Sequence, residues 1–238
     1  MNPRMLLSAF QQAGVQEVAG EGLRLSSAVE IALILTVLSL VPAALITVTS
    51  FTRIVIVLSF VRRSMAVNEL PPNPVIIGLS LFLTMFVMAP VASRMYEVAY
   101  EPYRAEELGP EQAAEAAWGE LRVFLLANTR ESELVLFADM ARLEPADDGM
   151  VVTPADMPFH VIIPAFVLSE LKTAFQMGFL LFLPFLVIDL VIASVLISMG
   201  MFMLPPVMIS TPFKILLFVL VDGWHLVCES LVTSFTLT

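Results

Sequence analysis

The chain has 238 residues, 58% of them apolar and only 14% charged, with a mean hydropathy of +0.90. A soluble domain is roughly a quarter charged, so a fold that faces water on all sides is excluded. A net charge of −10 excludes a nucleic-acid binder, and a single cysteine (Cys228) with two histidines (His160, His225) excludes a disulfide framework and leaves too few ligands for a protein-built zinc site.

In chain order, residues 1–30 form a polar to amphipathic segment. Gln11, Gln12, Glu17 and Glu21 interrupt any apolar core there, so it does not read as a secretory signal. Ile31 to Thr52 carries no charge and is long enough to cross a bilayer core, which needs about 20 apolar residues. This span then serves as the targeting signal. A short link follows with Arg53, Arg62 and Arg63 against Glu69, and the positive-inside bias places it in the cytoplasm. Leu70 to Ser93 is again free of charge, and its Pro71-Pro72-Asn73-Pro74 start delays the helix to near Val75. Residues 31–94 are thus expected to form a first hydrophobic hairpin.

The segment 95–157 carries the whole charge imbalance. From Glu97 to Asp156 there are fourteen acidic and four basic residues, while the rest of the chain balances at eight and eight. Apolar residues recur at helical spacing through Trp118, Leu121, Phe124 and Leu125, and after Asn128-Thr129 through Leu134, Phe137 and Ala141. A small, acidic, mostly helical domain outside the cytoplasm is expected; an acidic disordered loop is the alternative.

Residues 158–238 complete the chain as a second hydrophobic hairpin. Between Thr173 and Val221 only Asp189 and Lys214 are charged, and these 49 residues would run about 74 Å as one helix. They must turn back, and Leu204-Pro205-Pro206 is the place, because Pro205 and Pro206 cannot donate to a continuing helix. Pro42, Pro90, Pro164 and Pro184 lie in or beside apolar helices. Lipid cannot satisfy the carbonyls that proline frees, so packed and assembled helices fit better than independent rods. The fold class is an all-α membrane protein: two hydrophobic helical hairpins with the acidic helical domain between them, assembling as a ring.

Ionisable groups in apolar helices are costly and point to function. Asp189 and Asp222, with Arg53 at the end of the first span, are expected to be buried charges. Counted from Pro205, Lys214 falls opposite Leu196 and finds no acid on its own hairpin. A partner on another copy is expected, with Glu170 the first candidate; the alternative is that Lys214 snorkels to the interface. The stretch Met199-Gly200-Met201-Phe202-Met203-Leu204 is rich in methionine, a flexible, polarizable side chain that re-packs around varied shapes. Several copies around an axis would form a compliant apolar plug. In a helix Met199 and Met203 would share a face, and in an extended loop Met199, Met201 and Met203 would; ordinary membrane-helix filler is the alternative.

Thr49-Ser50-Phe51-Thr52-Arg53-Ile54, Pro71-Pro72-Asn73, Phe86-Val87-Met88, Thr129-Arg130-Glu131, Pro164-Ala165-Phe166, Ser169-Glu170-Leu171-Lys172, Pro184-Phe185-Leu186, Ile188-Asp189, Gly200-Met201 through Pro205-Pro206, Pro212-Phe213-Lys214 and Asp222-Gly223-Trp224 together resemble the FliP family of type III secretion export-gate proteins. The resemblance runs in order over about residues 31–235, on the flagellar side of the family. It implies a non-enzymatic role without cofactors, in the flagellar basal body of the bacterial inner membrane. FliP-like chains form a homo-oligomeric ring of five that joins FliQ and FliR into an export gate. The gate works with FlhA and FlhB and passes unfolded rod, hook and filament subunits. The resemblance also implies helices bent and largely lifted out of the bilayer in the finished gate, so that four spans would describe the monomer. The family's methionine gasket maps onto Met201, Phe202 and Met203, and this sequence departs from it by placing Phe202 at the centre. Many flagellar relatives carry a cleaved signal peptide, which the N-terminus here does not show.

Two other classes compete. A small-solute or ion transporter would need a polar midplane site and usually an internal repeat, and the two hairpins show no self-similarity. A membrane-bound enzyme would need a nucleophile–base pair or a metal constellation; His225 and Cys228 are three residues apart and could meet on one helical face, but no third group orients the pair, and a buried Cys is more often inert core.

Overall fold

The computed structural model describes residues 46–66, 71–142 and 157–236, with single helical positions between Val29 and Ala43. Met1–Leu45 and Ile46–Thr238 are separate compact units. In the first, Ile31, Leu35 and Leu38 are helical and exposed. The expected N-terminal segment up to Ala28 and much of the first apolar span lie outside the described residues, as does Glu69.

In the second unit every described regular element is helical. Helix α1 spans Phe51–Ser64, α2 Asn73–Met95, α3 Glu101–Arg104, α4 Pro110–Ala127, α5 Glu131–Met140, α6 Phe159–Ser198, α7 Pro206–Leu220 and α8 Gly223–Thr233. The short link expected after the first span is a helix, α1. Ile54, Val57, Leu58 and Val61 follow the i, i+3, i+4, i+7 spacing of one helical stripe and are fully buried, chiefly against α6. Each such side chain contributes on the order of 1.5–3 kcal/mol of apolar burial, enough to draw a segment with three arginines into the core. Gly178 of α6 allows the close approach, since a Cβ there would lie 2.7 Å from the Phe60 ring of α1.

Helix α2 does not stop where its apolar residues stop. A π-helical turn at Tyr96–Tyr100 carries it into α3, giving a continuous helical run from Asn73 to Arg104. Arg94, Glu97 and Glu101 alter solvation rather than backbone geometry, and the run ends only near Glu106, whose φ is +60°. Pro90 lies within it.

The described residues of the acidic segment form the π-turn, α3, α4 and α5, and its residues 143–156 lie outside the described ones. Gly109 and Pro110 start α4, with the Gly109 N–H donating to Gln112 Oε1 at 3.1 Å. These helices share their core with the apolar ones: α4 packs on α2 and α6, α5 packs on α6, and Phe124 and Leu125 are buried. Phe124 sits 6.1 Å from Phe166 and 6.4 Å from Phe235, ring centre to ring centre. Arg130 begins α5 with its N–H on Ser169 Oγ (3.1 Å) and its guanidinium on Thr173 Oγ1 (3.2 Å). The insert is therefore part of the same compact unit as the hydrophobic helices.

Two helical runs among the described residues are long and apolar enough to cross a membrane, Asn73–Arg104 and Phe159–Ser198. The pair α7 and α8, bent by 63° at Val221–Asp222, is a third candidate if taken as one span. The 40 residues of α6 extend about 60 Å, twice the roughly 30 Å of a bilayer core. Burial divides this helix: Val161, Ile162, Ala165, Phe166, Ala174 and Gly178 lie in the core, whereas beyond them only Phe185 and Leu196 are buried. Leu180, Val187, Leu190, Val191 and Val195 stand exposed, as do Met208, Phe213, Leu216, Val219 and Leu220 of α7.

Candidate functional site

The open halves of α6 and α7 meet at the methionine stretch. Helix α6 ends in a Schellman motif, with the Gly200 N–H donating to Ile197 O and the Met201 N–H to Leu196 O, both at 3.0 Å. This closure needs a left-handed residue past the cap, and Gly200 supplies it at φ +75°. Phe202 and Met203 then form a turn. Pro205 caps α7 and Pro206 occupies its first turn, where a missing N–H costs nothing and φ is already helical. Met199, Met201, Phe202, Met203 and Leu204 are all exposed, Met203 at 96%. Neither arrangement considered for the methionines describes them: Met199 caps a helix and Phe202–Met203 is a turn, so the stretch is not an extended strand.

About two turns behind this loop lies a buried cation. Lys214 of α7 is 2% exposed, and its Nζ donates to Asp189 Oδ2 of α6 at 2.6 Å. Ser210 Oγ donates to the other carboxylate oxygen at 2.5 Å. The expectation that Lys214 has no acid on its own hairpin is thereby corrected. Counting from Pro205 charged the seven residues of the loop to helical rise. Counted from the helix ends, Asp189 lies nine residues before Ser198 and Lys214 eight after Pro206. At 1.5 Å per residue their depths are about 13.5 and 12 Å, within reach of a lysine side chain.

Glu170 is engaged elsewhere. It is 0% exposed and accepts from Arg53 of α1, itself 3% exposed, through Nε at 2.9 Å and through Nη2. Nη1 of the same guanidinium donates to Ser234 O at 2.9 Å and Ser234 Oγ at 3.0 Å, and the group lies 3.8 Å above the centre of the Phe235 ring. One side chain thus ties α1, α6 and the end of α8 together. Both members of the pair expected between subunits are engaged inside one chain, each by a nearer partner.

Of the three expected buried charges, Arg53 is buried, Asp189 is 32% exposed and Asp222 is exposed. Asp222 occupies the joint between α7 and α8 at φ +52°, ψ +52°, a left-handed conformation that Asp adopts more readily than most residues. Gly223 beside it is required: a Cβ there would lie 2.3 Å from the Phe218 ring. Asp222 is therefore a joint residue. His225 faces Glu229 one turn on, at 3.8 Å with both exposed. Outside the apolar helices, Glu133 of α5 accepts from Lys172 at 3.0 Å and from Ser132. The lysine bond holds its carboxyl below the usual glutamate range, against the opposing effect of burial.

The family model for the FliP family matches residues 34–231, a stretch that contains the loop, Asp189, Lys214, Arg53 and Glu170. The chain belongs to the FliP family. Among the family's curated members, "Flagellar biosynthetic protein FliP" of Bacillus subtilis (strain 168) is 52% identical over 210 residues, 88% of this chain and 93% of the relative. The protein of that name from Pectobacterium carotovorum subsp. carotovorum is 51% identical over 207 residues, covering 87% of this chain and 78% of its own. The Aquifex aeolicus (strain VF5) FliP is 49% identical over 216 residues, 91% and 89% of the two chains. Ser234 and Phe235, the far partners of Arg53, lie just past the segment matched to FliP.

Sequence reasoning missed Ser210, Ser234 and Phe235. For Ser210 a signal was present: it sits one helical turn before Lys214, a spacing that places the two on one face. For Ser234 and Phe235 there was none, because their relation to Arg53 spans more than 180 residues of chain.

Proposed function

We infer that this FliP-family chain is a membrane-embedded subunit of the flagellar type III protein export apparatus, built into the gate through which rod, hook and filament subunits leave the cell. The observation that carries this reading is the uncovered loop Met199–Leu204 at the joined ends of two helices whose neighbouring faces are apolar and open. Contiguous apolar surface on this scale marks contact with lipid or with other chains. Helix α6, about twice as long as a bilayer core is thick, suits a subunit whose second hairpin stands partly in an assembly.

In this reading five copies, joined by FliQ and FliR and working with FlhA and FlhB, surround one conduit in the inner membrane. Each contributes Met199, Met201, Phe202 and Met203 to a ring. Thioether and aromatic side chains exclude hydrated ions because they offer no exchange for the hydration shell, yet they deform around a passing polypeptide. Gly200, Pro205 and Pro206 hold the loop out of the helices so that its side chains reach the axis.

Replacing Met201 and Met203 together by alanine removes about six heavy atoms from each loop. Cells carrying the double variant are expected to leak small ions while still exporting filament protein. Unchanged ion conductance at normal levels of the variant would refute the seal.

A further inference from the structure

We propose that Asp189, Ser210 and Lys214 form a register clasp that sets the height of the Met199–Leu204 loop, and that they are positioning residues for the gate. The proposal rests on the gate reading only for its consequence at the loop; the clasp itself is a statement about α6 and α7.

The rest of the facing surface is apolar, with one buried aromatic pair, Phe185 and Phe218, whose ring centres lie 6.2 Å apart. Between the two helices runs a groove lined by Val187, Ile188, Val191, Ile192, Phe213 and Leu217. Apolar contact is non-directional, so it opposes a slide of one turn, about 5.4 Å, less sharply than paired polar groups do. The loop gives little resistance, because its flexible side chains are uncovered. Against this background the three polar groups are directional. Both carboxylate oxygens of Asp189 are taken, one by Lys214 at 2.6 Å and one by Ser210 at 2.5 Å. Ser210 and Lys214 are buried. A slide of one turn would leave the cation facing aliphatic side chains, where an unpaired charge is far costlier than in water. Fixing a register is the best-attested use of a buried ionic group. A loop displaced by a turn would move its methionines along the conduit by more than half the length of a methionine side chain, enough to open a ring that depends on all copies closing at one height.

The test uses paired cysteines in the full-length chain in its native membrane, with Cys228→Ser as background. Measured from the helix ends, Ile188 and Leu217 lie at matching depths, about 15 and 16.5 Å, so Ile188→Cys with Leu217→Cys reports the observed register. Ile192→Cys with Leu217→Cys reports a slide of about one turn. With the clasp intact, oxidation is expected to join the first pair and hardly the second. With Asp189→Asn, or with the apolar pair Asp189→Leu and Lys214→Met, the ratio of second to first product is expected to rise about tenfold, as when one charged hydrogen bond ceases to hold the register. Exchanging the charges, Asp189→Lys with Lys214→Asp, is expected to return the ratio toward its original value. If the products keep their original ratio in both disrupted variants, the clasp is refuted. If the ratio shifts but ion leakage through the assembled gate stays unchanged, the clasp stands as a structural device and its role in positioning the loop is refuted.

Discussion

Breaking the Arg53–Glu170 pair from one side should cost more than removing it from both. Arg53→Met deletes a guanidinium that makes four hydrogen bonds, two to Glu170 and two to Ser234. It leaves a fully buried carboxylate without those donors, at a cost of about 3–5 kcal/mol. Glu170→Leu leaves the cation with Ser234 and the Phe235 ring; a stacked cation offsets only about 1–2 kcal/mol, so the loss is again about 3 kcal/mol. In the double variant neither charge remains. Its main deficit is the Ser234 carbonyl, worth about 1–2 kcal/mol. The double variant is therefore expected to be more stable than either single one. Heat-induced unfolding of the detergent-solubilised full chain measures this: the singles should lose on the order of 10 °C and the double roughly a third of that. A double variant no more stable than the weaker single would show that the two groups do not depend on each other, and the reasoning from buried charge would fail.

Three further changes probe backbone and charge. Gly223→Ala puts a Cβ 2.3 Å from the Phe218 ring and should cost about 1–3 kcal/mol. Gly119→Ala, in α4 with open space around it, should instead stabilise by about 0.5–1 kcal/mol; equal effects in thermal unfolding would refute the steric argument. The lowered Glu133 carboxyl gives stability that is fully present above the ordinary glutamate value of 4.5 and is lost as pH falls through the lower folded value. Glu133→Gln should flatten the acid limb of a stability–pH curve below that value, and an unchanged limb would place the acid sensitivity elsewhere.

The linear pattern determined the class of protein and the place of its turn. Uninterrupted apolar runs leave no solution in water, and two consecutive prolines fix local φ and remove N–H donors whatever surrounds them, while glycine leaves the left-handed region open. These are short-range constraints, so the turn at Leu204-Pro205-Pro206 could be assigned from the chain alone, as could the helices that flank it. The helical periodicity of the acidic segment was equally legible. What it packs against was not, because burial of Phe124 depends on Phe166 and Phe235, far away in sequence.

Charge pairing was decided only by the tertiary structure. Depth along a hairpin depends on where helices end, and counting the seven loop residues as helix moved Lys214 from Asp189 to Leu196. Arg53 read as part of a polar link because a link and an amphipathic helix carry the same arginines; the stripe Ile54, Val57, Leu58 and Val61 distinguishes them once a neighbour such as α6 is there to cover it. Composition states how many charges an apolar protein must satisfy. Which carboxylate meets which cation is set by three-dimensional proximity, because the energy of a buried pair depends on ångströms and not on separation along the chain.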